Sequence, residues 1–290
     1  LAYSRAGYGR SSSAKLPYGV RYMHDEALVV LPRLLDACGI ERPILLGHSD
    51  GASIALIHAA AAGRPVAGLA LMAPHVVVED VSVASISAAK VAWRTTDLRA
   101  KLARYHDDAD GAFTGWNDIW LHPAFRAWSI EGLLRDVRCP ILAIQGEDDE
   151  YGTMEQVRRI AAAVPDTDVL ALADCRHSPH RDQPGAVIDA ITRFAEKPAS
   201  TPLVTRPATC DGRNQPVHAS FSLVMGLHIT LMWVLEWPVG PHVIFVCTLP
   251  PAALDYPHFV RLAPHAEVRR VRSRRVAMRL TASHARGFAQ

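Results

Sequence analysis

The most constraining stretch of this 290-residue chain is Pro43-Ile44-Leu45-Leu46-Gly47-His48-Ser49-Asp50-Gly51, which runs on into Ala52-Ser53-Ile54-Ala55-Leu56. A short apolar run meets Gly-x-Ser-x-Gly and passes into a small-residue helical pattern, so the spacing predicts a strand, a sharp turn and a helix. Ser49 would sit at the tip in a strained backbone conformation. The chain there doubles back so closely that Gly47 and Gly51 leave no room for a Cβ. Such a turn exposes the Ser49 hydroxyl at a helix N-terminus, whose free N–H groups and dipole favour negative charge.

Around this turn the chain alternates between strand-like and helix-like segments. Leu1 to Ser4 reads as the end of a strand, followed by the Gly-rich turn Arg5 to Ser12. Gly7 and Gly9 leave a phosphate loop as an alternative, although no Gly-Lys-Ser/Thr follows. Apolar positions from Arg21 to Cys38 recur at helical spacing up to Gly39, a C-terminal cap. Ala52 to Ala62 is expected as a helix closed by Gly63, and Val66 to Ala73 as a buried strand. Continuous apolar runs of strand length between helices call for a parallel sheet covered on both faces, hence an α/β class.

From 75 to 135 helical periodicity replaces the strand pattern and aromatics accumulate, including Trp93, Phe113, Trp116, Trp120, Phe125 and Trp128. Most are expected in the core of a helical unit. His75, Trp116, Trp120 and Trp128 are candidates for the wall of an apolar pocket beneath it. The sheet pattern returns at Cys139 to Gln145, followed by Gly146-Glu147-Asp148-Asp149-Glu150. A helix (154–164), a strand (168–173), the loop Asp174 to His180 and a helix (184–196) complete the series. The chemically suggestive residues follow C-terminal ends of strands, where open α/β sheets keep their sites.

On these motifs residues 1–196 resemble the α/β-hydrolase family, whose nucleophile, acid and histidine follow one another in that order. The elbow is similar to that of the valacyclovir-hydrolase-like esterases. The resemblance implies Ser49 as nucleophile, Asp149 as the acid three residues after the glycine closing a strand, and His177 as the base. Asp148 and His180 stand as the alternatives. In His177 the sequence departs from the family, because Arg176 precedes the histidine where glycine is usual. An unassisted serine hydroxyl is a poor nucleophile at neutral pH; His177 would take its proton and Asp149 would orient the imidazole. The Asp50 backbone N–H would face the oxyanion, and the Asp50 carboxylate could read a cationic group. Serine at the elbow sets aside the carboxylate nucleophiles of epoxide- and halide-processing relatives.

The resemblance implies an incomplete α/β-hydrolase fold with a helical cap: core in 1–74 and 136–196, cap in 75–135, and an unassigned tail in 197–290. It also implies that the chain is truncated at its N-terminus, where Leu1 replaces an initiator Met. The family's strand before the oxyanion loop would lie between the strand ending at Ser4 and the one ending at Leu46. Its loss would leave a central sheet edge unpaired. The loss of one oxyanion donor would weaken catalysis by about 100- to 1000-fold.

Composition adds a contrast between the two parts. Residues 1–196 carry 20 Lys+Arg against 25 Asp+Glu, whereas 197–290 carry 11 against 4. The tail opens with Pro198, Pro202 and Pro207, contains the apolar runs 221–235 and 243–249, and ends in a basic stretch around Arg269 to Arg275. The first run is short for a membrane span, and the arginines read as a solvated tail, with no motif for nucleic acid. The change of composition also suits an out-of-frame or fused extension. Five scattered cysteines without a Cys-x-x-Cys pair suggest neither disulfides nor a metal centre and favour a cytoplasmic setting. The expectation is therefore a cofactor- and metal-free serine hydrolase acting on an ester, thioester, lactone or related carbonyl bond of a small, partly apolar molecule. The alternative is a non-catalytic ligand-binding relative.

Overall fold

The computed structural model describes residues 1–196 and, as backbone, the strand 243–247. The chain opens with β1 (Ala2–Ser4). Next comes one continuous helical segment: α1 (Tyr22–Asp25), a π-helical turn at Glu26–Val30 and α2 (Leu31–Cys38). Gly39, at φ 66°, caps it in the left-handed conformation that only glycine adopts freely. The elbow strand β2 (Ile44–His48) leads into α3 (Asp50–Ala61), and β3 (Gly68–Met72) follows.

Between β3 and the next strand lie four helices: α4 (Asp80–Thr95), α5 (Leu98–Leu102), α6 (Ala109–Trp120) and α7 (Glu131–Leu134). A single 3-10 turn at Pro123–Phe125 separates the last two. β4 (Ile141–Gly146), α8 (Glu155–Ala163), β5 (Thr167–Leu172), α9 (Pro179–Asp182) and α10 (Pro184–Glu196) complete the described N-terminal part.

The sheet is six-stranded with the order β1-β6-β2-β3-β4-β5, and every pairing is parallel. Successive residues of its central strands feed different cores, as period-2 side chains must. Leu69, Leu71, Ile141 and Ala143 join a cluster with α1–α3 and α8. Ala70, Met72, Leu142 and Ile144 join a second cluster with Val187, Ala190 and Phe194 of α10.

The expected gap beside β1 is not a gap. β6 (Val243–Cys247), drawn from the second apolar run of the tail, lies between β1 and β2. It pairs Ala2 with Phe245 and Ser4 with Cys247 on one side, and Ile44 with Val243 through His48 with Cys247 on the other. The unpaired central edge is thereby corrected. A run of five apolar residues, two of them valine and one isoleucine, suits a central parallel strand, and occupying the slot satisfies two ladders of backbone groups at once. The apolar run 221–235 and the arginine cluster lie outside the described residues. Among the described residues no helix is long and apolar enough to cross a membrane.

Candidate active site

Ser49 occupies the turn between β2 and α3 at φ 55° and ψ −124°, a positive φ for a residue with a side chain. Its N–H donates to the carbonyl of Met72 at the end of β3 (2.9 Å), so the sheet itself pins the strained residue. A Cβ on Gly47 would lie 2.5 Å from the Ala52 nitrogen, closer than any real contact. Glycine is thus required where strand and helix cross.

Asp149 and His177 are brought to this turn by β4 and by the loop after β5. Gly146 has the same steric role as Gly47: a Cβ there would stand 2.5 Å from the Arg176 carbonyl oxygen. That close approach sets the loop of Asp149 directly against the loop of His177. Both Asp149 carboxylate oxygens lie 2.9 Å from His177 Nδ1, and His177 Nε2 lies 3.0 Å from Ser49 Oγ. The remaining acceptor capacity of Asp149 is filled by the backbone N–H groups of Tyr151 (2.7 Å) and Gly152 (3.2 Å) and by Gln145 Nε2 (2.7 Å). Burial opposes the charge on Asp149, but the His177 hydrogen bond and charge, with the Tyr151 N–H, outweigh it and hold the carboxyl below its usual range.

The alternatives are placed elsewhere. Asp148 is exposed, and His180 packs edge-on against His48 with ring centroids 4.8 Å apart. Arg176 does not crowd the turn, because its exposed side chain reaches outward to Glu150. Its backbone N–H donates to Asp182 (2.9 Å). His48, fully buried, donates Nε2–H to the carbonyl oxygen of His177 at 2.6 Å and so anchors the histidine loop from below. Burial, reinforced by His180 and His177, holds His48 well below the ordinary histidine value. Burial likewise brings His75 and His180 down to about 4.

A pocket of about 630 Å³, including its open mouth, is lined by Ser49, Asp50, His177 and side chains from the helices between β3 and β4. His75, Trp116 and Trp120 are among its lining residues. His75 stands edge-on to Trp120 (4.9 Å between centroids), with its backbone tied to Ser53 of α3. Trp128 is not among the lining residues. It stacks on Phe125 at 5.4 Å within the core cluster, where a large ring gains most from burial. Tyr8, His106, Phe113 and Tyr151 line the pocket without having been legible as site residues. For Tyr151 the only signal was its position two residues after Asp149.

The Asp50 carboxylate is committed to internal partners. It accepts from Tyr22 Oη (2.7 Å) and Trp120 Nε1 (3.2 Å), and Arg5 lies 3.5 Å away, with both ions buried. Its backbone N–H belongs to the first residue of α3, beside the Ser49 hydroxyl. No group of three or more potential metal ligands occurs among the described residues.

With this geometry in place, comparison with known proteins is informative. The model of the alpha/beta hydrolase family matches residues 1–190. The chain belongs to the alpha/beta hydrolase family. Among solved structures, it is similar to a hydrolase from Pseudomonas aeruginosa (TM-score 0.51, 19% identity, covering 66% of this chain and 77% of that one). It is also similar to a structure from a study of carboxylesterases of the thaumarchaeon Nitrososphaera gargenis (0.54, 17%, 66% and 77%). A third similar structure is a serine hydrolase of the hydrocarbon-degrading bacterium Cycloclasticus zankles (0.53, 16%, 65% and 76%). At these identities the likeness shows the shared fold. A search of curated proteins finds no match.

Proposed function

We propose that this alpha/beta hydrolase cleaves an ester, thioester or lactone bond of a small, partly apolar molecule through an acyl-enzyme on Ser49. The observation that carries this reading is the unbroken chain of contacts from Ser49 Oγ through His177 to Asp149, at 3.0 and 2.9 Å, opening on an apolar pocket.

The chemistry follows from the hydrogen bonds. Nδ1–H donated to Asp149 leaves Nε2 as the free lone pair, the tautomer a general base needs. As Ser49 Oγ attacks the carbonyl carbon, its proton passes to His177 Nε2, and Asp149 stabilises the imidazolium. The charge on the carbonyl oxygen develops near the Asp50 N–H, where the α3 dipole adds to the hydrogen bond. Collapse of the tetrahedral intermediate expels the alcohol, thiol or ring oxygen, which takes the proton from His177. Water, activated by the same histidine, then releases the acid and restores Ser49.

Labelling with a fluorophosphonate, read by intact mass, tests this assignment. One adduct is expected on the folded protein and none on Ser49→Ala or on the heat-unfolded chain. An absent adduct on folded protein would refute the assignment and return the reading to a non-catalytic binding protein.

A further inference from the structure

The pocket wall opposite in origin to the triad contains a polar group for which the acyl-transfer chemistry has no use. His106, in the connection between α5 and α6, is 5% exposed and lines the same pocket as Ser49. The Gly9 N–H donates to its Nδ1 at 2.9 Å, and the Asp107 N–H donates to the Gly9 carbonyl at 2.9 Å, so the imidazole is strapped to the Gly-rich turn after β1. Tyr8 meets the ring edge-on at 5.9 Å and limits its rotation. Because Nδ1 accepts, the neutral ring must carry its proton on Nε2. Burial keeps the ring neutral by lowering its pKa. Nε2–H has no partner among the described residues, so a donor of fixed tautomer and orientation is left to the pocket.

Charge narrows what that donor can serve. Among the described residues that line the pocket there is no lysine or arginine, and His75 is held near about 4. A carboxylate on the substrate would therefore enter without a counter-ion. A cation would find the Asp50 carboxylate already occupied by Tyr22, Trp120 and Arg5. An uncharged acceptor oxygen meets neither penalty.

We propose that His106 Nε2–H is a specificity-determining donor for a second, uncharged oxygen, such as a ketone, carried by the substrate at a distance from the scissile carbonyl. The preferred substrates are accordingly oxo-esters or oxo-lactones rather than plain alkyl or acidic ones. This inference rests on the pocket being the substrate site of the proposed hydrolase. An apolar isostere would leave the donor buried without a partner, and a mismatch of that kind costs about tenfold or more in affinity.

The test uses the 290-residue chain carrying Ser49→Ala, so that binding is read without turnover. Calorimetric titrations compare p-nitrophenyl 4-oxopentanoate, its isostere p-nitrophenyl 4-methylpentanoate, and the mono-p-nitrophenyl ester of succinic acid. The oxo ester is expected to bind about tenfold more tightly than the methyl isostere, with the succinate ester weakest. His106→Phe should bring the two neutral ligands within about twofold of each other, and His106→Gln, which keeps an N–H, should retain part of the preference. In ¹⁵N-histidine-labelled protein the His106 Nε resonance should move with the oxo ligand and stay with the isostere, a readout that needs no change at His106.

Equal affinities, no binding of either neutral ligand, a preference unchanged in His106→Phe, or a still resonance each overturn the proposal. Turnover by the unsubstituted protein is measured separately. Hydrolysis without oxo preference removes only the role of His106, whereas oxo preference without hydrolysis removes only the hydrolase reading.

Discussion

The triad and the pocket wall opposite it are built by different means. Ser49, Asp149 and His177 stand at the ends of β2, β4 and β5, where backbone sterics at Gly47 and Gly146 and a backbone bond from Ser49 to Met72 fix their positions. The wall is built mainly of side chains on α4–α6 and of loop residues such as Tyr8, His75, His106 and Tyr151, held to the core by a few side-chain hydrogen bonds such as Trp120 to Asp50 and Gly9 to His106. On the proposed function, chemistry that tolerates little displacement rests on the sheet, and substrate selection rests on the helices and loops of the wall.

The largest effect expected concerns the sheet on which the triad depends. A chain ending at Glu196 loses β6 and with it both ladders that join β1 to β2. At roughly 1 kcal/mol net per hydrogen bond, several kcal/mol vanish from a total of about 5–15 kcal/mol. Cooperative thermal unfolding by circular dichroism should disappear in the shortened chain. An unchanged melting curve would show that the triad half stands without β6.

Next in size, Asp149→Asn and Trp116→Ala should separate the two regions kinetically. The first removes the group that holds the His177 tautomer, and kcat should fall about 10⁴-fold with KM little changed. The second removes apolar wall, and KM should rise about tenfold with kcat largely kept. Steady-state kinetics on a single ester decide the matter; a kcat loss of similar size in both would erase the distinction.

The smallest effect is the dependence of stability on pH, to which buried histidines of both regions contribute, His106 of the wall among them. His75 and His180 are held near about 4 and His48 well below its ordinary value, all three chiefly by burial. In the unfolded chain these groups take up protons near pH 6.5. Between about pH 6.5 and 4 the unfolded state therefore binds more protons than the native state. The stability present in full above pH 6.5 is lost as pH falls through that window. Asp149, with its lowered pKa, loses its own contribution only at still lower pH. Tm should drop by roughly 10 °C between pH 7.5 and 5, and His180→Gln should flatten the slope. A flat Tm profile in the unsubstituted protein would show that these buried histidines do not set its stability in acid.

The elbow was legible from a short stretch of chain, because its glycines and Ser49 form a local backbone motif, whereas Asp149 and His177 were reached through the resemblance to the family. The elbow needs its glycines within two residues of Ser49, Asp149 follows Gly146 by three positions, and His177 lies in the loop after β5. The departure at Arg176 was legible too, but the course of its side chain was not, since that depends on Glu150 receiving it. Trp128 shows the opposite case. Nothing in a helical periodicity distinguishes a ring stacked on Phe125 in the core from Trp116 and Trp120, which face the cavity.

By itself, then, the sequence determined the α/β class, since apolar period and turn sterics act over a few residues, and its resemblance to the family pointed to Ser49, Asp149 and His177 at the strand ends. Tertiary structure alone decided which partners occupy the Asp50 carboxylate, which aromatic rings form the wall, and that His106 presents a single donor to it. It also decided that a strand 243 residues into the chain fills the slot between β1 and β2. These outcomes depend on contacts between residues far apart in the chain. The free energy of such contacts comes from burial and from satisfying backbone groups on both sides, neither of which is encoded in any one segment.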